Sequence, residues 1–248
     1  MSVLLAAVLA VSRAAVAQDV ILPGDACIPT TVVKNMLESR TGRLRDWPDL
    51  ARYREADAKA GLPAPGKARV VFMGDSITEG WASAPAGFFP GKPYLGRGIS
   101  GQTTPQMLLR FRSDVIALKP KAVVILGGTN DLAENSGPIT LEETEGNLAS
   151  MAELARANGV RVVLSSLTPV RGGKRSPEKI LALNAWLKKY AEKNGHVYLD
   201  YFAAMADEGG AMKKEYSGDG LHPNAAGYAR MAPLAEAAIR AALAPAGR

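Results

Sequence analysis

Arg69-Val70-Val71-Phe72-Met73 runs directly into Gly74-Asp75-Ser76-Ile77-Thr78-Glu79-Gly80. After Arg69 the first run is continuously apolar, with no alternation of polar residues, which is the pattern of a strand covered on both faces. The glycine, the acidic residue and the serine that follow mark a tight turn into a helix. Working outward, the same unit recurs. Further strands are expected at Tyr94 to Ile99, Ala122 to Leu126, Val160 to Leu164 and Val197 to Leu199, each followed by a loop and a helical pattern. Between Glu142 and Asn158 the apolar residues Leu148, Met151, Leu154 and Ala155 fall on one helical face. Between Pro177 and Asn194 the set is Ile180, Leu183, Leu187 and Tyr190. Asn158-Gly159 and Asn194-Gly195 supply the two stops. Continuous strands alternating with helices predict an α/β fold with a parallel sheet covered on both faces. In such sheets ligands bind beyond the carboxyl ends of the strands.

With 248 residues, 47% of them apolar, the chain can bury a large core without disulfides or metals, and one α/β domain is the expectation. Cys27 is the single cysteine, so no internal bridge can form. The net charge of +6 is scattered rather than gathered into a basic run, which argues against a nucleic-acid partner. An apolar stretch from Val3 to Val11, then Ala15-Val16-Ala17 before Gln18, resembles a secretory signal over residues 1–17, although it holds no Lys or Arg ahead of the apolar run. The alternative is a short helix that stays on the protein. No later stretch is long and apolar enough to span a bilayer. No leucine stands in Gly24-Asp25-Ala26 before Cys27, so a lipid anchor there is not expected, and the reading is export to the periplasm or the outside. Residues 18–66 are expected to form a helical N-terminal extension, helical from Thr30 to Lys59 with a break at Trp47-Pro48, closed by a turn-rich connector. Residues 67–248 are expected to form the main domain.

Ser76 stands at a strand-to-helix turn, exposed and beside a helix N-terminus, where its own N–H could stabilise a developing oxyanion; its other reading is a simple helix cap. Gly101, in Arg97-Gly98-Ile99-Ser100-Gly101-Gln102-Thr103-Thr104, could present a second N–H, or serve only as a turn. Asn130, in Gly127-Gly128-Thr129-Asn130-Asp131, follows the third strand and can aim its amide at the cleft or close an Asx-turn. In Asp219-Gly220-Leu221-His222 the spacing of three lets the carboxylate hold one ring nitrogen while the other takes a proton from Ser76. A surface turn is the alternative there. A metal site is disfavoured because no third cluster of ligand-type residues accompanies the pair. The chain has two histidines, and His196 lies at a helix end leading into a strand, a structural or solvent-facing position.

In this order, and each at an expected strand end, the four blocks resemble the SGNH hydrolases, the GDSL-type esterase and lipase superfamily, from about Val70 to about Tyr228. The resemblance implies a flavodoxin-like three-layer α/β/α sandwich with a central, mostly parallel five-stranded sheet, and neither metal nor organic cofactor. It makes Ser76 the nucleophile, His222 the general base and Asp219 the orienting acid. The N–H groups of Ser76 and Gly101 and the side chain of Asn130 become the oxyanion hole. No G-x-S-x-G elbow surrounds Ser76, which separates the chain from the α/β-hydrolases. The wording of the first two blocks looks most like acetylhydrolase-type members related to platelet-activating-factor acetylhydrolase. The reaction expected is hydrolysis of short-chain, acetyl-type esters of a small molecule or carbohydrate.

Trp81, Phe88, Phe89 and Tyr94 could stack on a sugar ring or bound an acyl pocket; ordinary packing is the commoner fate of such residues. Arg171, opening Arg171-Gly172-Gly173-Lys174-Arg175, is placed to meet an anionic substrate, with a solvated basic loop as the alternative. Asp75, Glu79, Asp131 and Asp200 are read as caps and network partners. Competing functions are an O-acyltransferase of the same fold, a non-catalytic carbohydrate-binding protein, and a phosphate or flavin binder built on the Gly74 to Gly80 loop.

Overall fold

The computed structural model describes residues 46–85 and 87–245, the short strands β1 (Val20–Ile21) and β2 (Cys27–Ile28), and positions 31 and 34. The signal-like stretch 1–17 and most of the expected helical run from Thr30 lie outside the described residues. The chain divides into two compact units, Met1–Trp47 and Pro48–Arg248. In the first, β1 and β2 pair antiparallel.

The second unit carries five parallel strands: β3 (Val70–Gly74), β4 (Tyr94–Gly98), β5 (Ala122–Leu126), β6 (Arg161–Ser165) and β7 (Val197–Leu199). Their order in the sheet is β4-β3-β5-β6-β7. Expected and observed strands agree to within one residue, and every pairing is parallel. Alternate residues of each strand face opposite layers. Val71 and Met73 of β3, with Val123 and Ile125 of β5, pack under Met107, Phe111, Leu148, Met151, Ile180 and Leu183. These come from α3 (Thr104–Asp114), α4 (Leu141–Ala157) and α5 (Pro177–Asn194). Val70 and Phe72, with Val124 and Leu126, face Ile77, Trp81, Tyr201, Met205, Met231 and Ile239. Those belong to α2 (Ser76–Ala82), α6 (Tyr201–Met205) and α7 (Ala225–Leu243). The result is a three-layer α/β/α sandwich, in which each fully buried aliphatic side chain contributes about 1.5–3 kcal/mol relative to exposure.

Residues 48–60 contribute turns and one short helix, α1 (Arg54–Ala60), in place of the long helical run expected from composition. This segment is bound to the edge strand β4 and the loop after it. Arg97 Nε and Nη2 reach Asp57 Oδ1 at 2.8 and 2.6 Å, and the same guanidinium lies 4.8 Å over the Tyr53 ring. The Tyr53 hydroxyl donates to the Gly98 carbonyl, and Gln102 Nε2 donates to the Pro48 carbonyl at 2.7 Å. Arg69 donates to the Gly61 and Ala60 carbonyls and so closes the end of α1. No α1 residue is fully buried, so these polar links to β4 hold it more than apolar burial does.

Candidate active site

Ser76 opens α2 at the carboxyl end of β3, which lies between β4 and β5 in the sheet. Asp75 caps this helix: its Oδ1 accepts from the Ile77 N–H at 3.0 Å. The glycines of this corner are needed for space. A Cβ on Gly98 would lie 2.2 Å from the Glu79 nitrogen and 2.5 Å from the Asp75 carbonyl oxygen, so β4 can pass α2 only as glycine.

Ser76 Oγ lies 3.0 Å from His222 Nε2, and His222 Nδ1 lies 2.6 Å from Asp219 Oδ2. Asp219 Oδ1 also accepts from the N–H groups of Leu221 and His222, at 2.9 and 2.8 Å, and from Ser217 Oγ at 3.0 Å. Partial burial alone would raise the Asp219 carboxyl, but the His222 ring and these other donors outweigh it and hold the group well below the usual carboxylate range. An ionised carboxylate only accepts, so Nδ1 carries the ring proton and Nε2 is left to accept from Ser76.

Asn130 and Gly101 meet at the same sheet edge. Gly101 has φ +78°, a conformation that favours glycine, and its carbonyl accepts from Asn135 Nδ2 at 3.3 Å. Asn130 Nδ2 donates to the Gln102 carbonyl at 3.0 Å and lies 3.5 Å from Asp75 Oδ2. Its Oδ1 accepts from Asn135 Nδ2 at 3.0 Å and from Arg175 Nη2 at 3.2 Å. Asp75 is buried, and burial, joined by the charge of Asp131, pushes its carboxyl up to about 6.

Trp81 and Arg171, expected at the substrate, are engaged elsewhere. Trp81 is buried in an aromatic cluster, stacked on Tyr228 at 5.4 Å and edge-on to Phe72 and Phe88, although one side of it borders an apolar cleft of about 620 Å³ with Gly80, Pro223 and Tyr228. The Arg171 guanidinium donates to the Met212 and Ser217 carbonyls, at 2.9 and 3.0 Å, and its own N–H donates to the Gly220 carbonyl at 2.8 Å. It fastens the loop that carries Asp219 and His222. Gly220, at φ +83°, leaves room for this, since a Cβ there would meet the Arg171 carbonyl at 2.6 Å. His196 lies just before β7, an edge strand separated from β3 by β5 and β6, and at the amino end of the sheet rather than the carboxyl end where Ser76 stands. Among the described residues, no group of three His, Cys, Asp or Glu is placed to hold a metal ion.

Several residues act on the site without standing out in the sequence. Glu79 Oε2 accepts from the Ser100 N–H at 2.8 Å and from its hydroxyl, while Oε1 pairs with Arg52 at 2.7 Å, tying α2 to the Gly101 loop. Arg110, fully buried on α3, donates to Gln102 Oε1 at 2.5 Å, to Asp114 Oδ2 at 3.0 Å and to the Gly74 carbonyl at 2.8 Å. Its signal was available: Arg110 lies on the helix face that Met107 and Phe111 bury. Asp131 accepts twice from the Thr104 N–H, at 3.0 Å, and so caps α3 from a neighbouring loop.

Residues 72–230 match the GDSL-like Lipase/Acylhydrolase family. The chain belongs to that family. A GDSL-like lipase from Bacteroides thetaiotaomicron is 45% identical with a TM-score of 0.76, over 79% of this GDSL-family chain and 99% of its own. An acetylxylan esterase of Geobacillus stearothermophilus is 24% identical over 196 residues, 64% of this chain and 88% of that enzyme. The lipoprotein YqeF of Bacillus subtilis is 32% identical over 127 residues, 48% of this chain and 44% of that protein, so the chain spans less than half of that relative. As a member of the GDSL-like family with esterase relatives, the chain is a carboxylic ester hydrolase. No helix among the described residues is long and apolar enough to cross a membrane.

Proposed function

We propose that the chain hydrolyses short-chain, acetyl-type esters through Ser76, His222 and Asp219, with an acyl-enzyme intermediate. The observation that carries this reading is the unbroken relay from Ser76 Oγ to His222 Nε2, 3.0 Å, and from His222 Nδ1 to Asp219 Oδ2, 2.6 Å. His222 takes the Ser76 proton as Oγ bonds to the ester carbonyl carbon. The carbonyl oxygen becomes an oxyanion held by the N–H groups of Ser76 and Gly101 and by Asn130 Nδ2. The intermediate collapses, the C–O bond to the alcohol breaks, and the imidazolium returns its proton to the leaving oxygen. Water, deprotonated by His222, then releases the acid and restores Ser76.

Carbohydrate esters are the substrate class we favour, because the acetylxylan esterase relative aligns over most of its length and the Gly101 and Asn130 loops carry polar side chains, with Asn135 bonded to Gly101, Arg175 to Asn130 and Ser100 to Glu79. Ser76→Ala should abolish p-nitrophenyl acetate turnover in a protein that melts like wild type; undiminished turnover would refute the reading. Acetate release from acetylated xylans and pectins, set against p-nitrophenyl esters of rising chain length, tests the substrate class, and a rate that climbs with chain length would point instead to an apolar acyl group. We also propose export, with residues 1–17 removed. The mature protein should then begin at Gln18, which N-terminal sequencing of secreted material checks.

A further inference from the structure

We infer that Arg175 is a positioning residue for the oxyanion site, acting through the Asn130 amide. This inference rests on the oxyanion role proposed above for Asn130. The loop that holds Arg175 follows β6, a strand and a helix away in sequence, yet its Nε donates to the Thr129 carbonyl at 3.0 Å and its Nη2 to Asn130 Oδ1 at 3.2 Å. One guanidinium thus grips the backbone before Asn130 and the side chain of Asn130 itself, a two-point hold that suits the planar fork of arginine.

Two consequences follow from the contacts. The first is orientation. An amide can turn over and exchange its oxygen and nitrogen. Turned over here, the Asn130 NH2 would face the Arg175 and Asn135 donors, while its oxygen would face the Gln102 carbonyl, now 3.0 Å from Nδ2, and Asp75 Oδ2 at 3.5 Å. Donor against donor and acceptor against acceptor exclude that state, so the NH2 is kept on the side where the oxyanion forms. The second is electrostatic. Asp75 places a buried carboxyl beside the same NH2, and its negative charge opposes an oxyanion there. The Arg175 charge acts in the opposite sense on both: it favours the oxyanion and polarises the amide so that Nδ2–H is a stronger donor. Arg175 is itself coupled to Asp75, whose charge favours the guanidinium against the cost of its burial.

The test is steady-state kinetics on p-nitrophenyl acetate with Arg175→Gln, Arg175→Lys, Asn130→Ala and the Asn130→Ala/Arg175→Gln double variant, with Ser76→Ala as reference. Arg175→Gln is expected to lower kcat by roughly tenfold to a hundredfold, with KM changed less than about twofold and thermal melting retained. Arg175→Lys, which keeps the charge but not the fork, should fall between Gln and wild type. In the Asn130→Ala background the Arg175 substitution should cost much less than it does in wild type, because the orienting route through the amide is gone and only the direct effect of the charge remains. If the two losses simply multiply, if the loss lies wholly in KM, or if Arg175→Gln keeps full kcat while Ser76→Ala is dead, the inference is wrong. If Ser76→Ala remains active, the underlying reading fails instead.

Discussion

Replacing Asp57 with alanine should show that residues 48–60 are part of the catalytic body, although the family match begins only at residue 72. Asp57 and Arg97 form an ion pair with side chains only 16% and 6% exposed. Burial raises the Asp57 carboxyl even against the attraction of Arg97, so taking the pair out of water is costly and its net contribution is small. Removing one partner is different, because it leaves the Arg97 guanidinium buried with the neighbouring Gly96 carbonyl and the Tyr53 ring but no counter-charge. That cost is about 3 kcal/mol, which for a domain of this size lowers the melting temperature by about 6–12 °C. Arg97 also fixes the strand that leads to Gly101, so kcat on p-nitrophenyl acetate should fall below what the melting curve explains at 25 °C. The control is Asp57→Leu with Arg97→Met, expected near wild-type stability since it buries no unpaired charge. A loss under about 1 kcal/mol for Asp57→Ala, or a double variant as unstable as the single, would refute the reasoning.

Gly98→Ala should cost at least about 2 kcal/mol and most activity, because the new Cβ meets the backbone of α2 rather than a movable side chain; a soluble, fully active variant would show that the helix can shift. Asp75→Asn tests a pH dependence. The folded carboxyl titrates at about 6 and the unfolded one near 4, so the native state holds the extra proton between them and wild-type stability falls as pH rises through that window. Urea unfolding should find the variant gaining on wild type by about 3 kcal/mol between pH 4 and 7, and a pH-independent difference would sink the argument. Arg171→Ala should lower kcat by loosening the Asp219–His222 loop while leaving the preference between neutral and anionic esters unchanged; a selective loss on anionic esters would return Arg171 to the substrate.

The parallel sheet was legible because β3, β5 and β6 are near-continuous apolar runs, a pattern that only two-sided burial favours. Ser76, Gly101 and Asn130 stood out because each occupies a turn after a strand, and Asp219 and His222 because they are three residues apart in a glycine-rich turn that ends at Pro223. Their supports did not stand out. The Arg175 to Asn130 contact joins residues 45 apart, and the Arg97 to Asp57 pair joins residues 40 apart, so neither leaves a local spacing to read. Arg171 and Trp81 show how such local signals compete with packing. A basic loop and an aromatic residue after a catalytic turn invite a substrate, whereas the guanidinium is spent on carbonyl oxygens and the indole fills the layer between β3 and α7. Composition also misled at residues 48–53, where helix-forming residues are held in turns by bonds to Gly98 and Gln102 that no local propensity records.

Asp75 poses the sharpest question in this corner, since a buried carboxyl beside a proposed oxyanion site raises the energy of the negative charge that must form there. Its geometry supplies the reason. A helix N-terminus leaves its first N–H groups open, and a capping side chain has to satisfy one of them. Asp75 accepts from Ile77 and not from Ser76, so the cap is completed without using the N–H of Ser76, at the first helical position, which the proposed mechanism assigns to the oxyanion. A serine or asparagine could cap without the charge, but the carboxylate offers a second oxygen, and that oxygen faces Asn130 and helps hold its NH2 in place. The charge that comes with this oxygen is then met from the far side by Arg175. On this view the two residues are a set: Asp75 orders the donors, and Arg175 offsets what that ordering would cost the oxyanion. The Asp75→Asn/Arg175→Gln double variant should therefore recover part of the kcat lost in Arg175→Gln alone, because the opposing charge has gone as well. A double variant no faster than Arg175→Gln would mean that Arg175 acts only by orienting the amide.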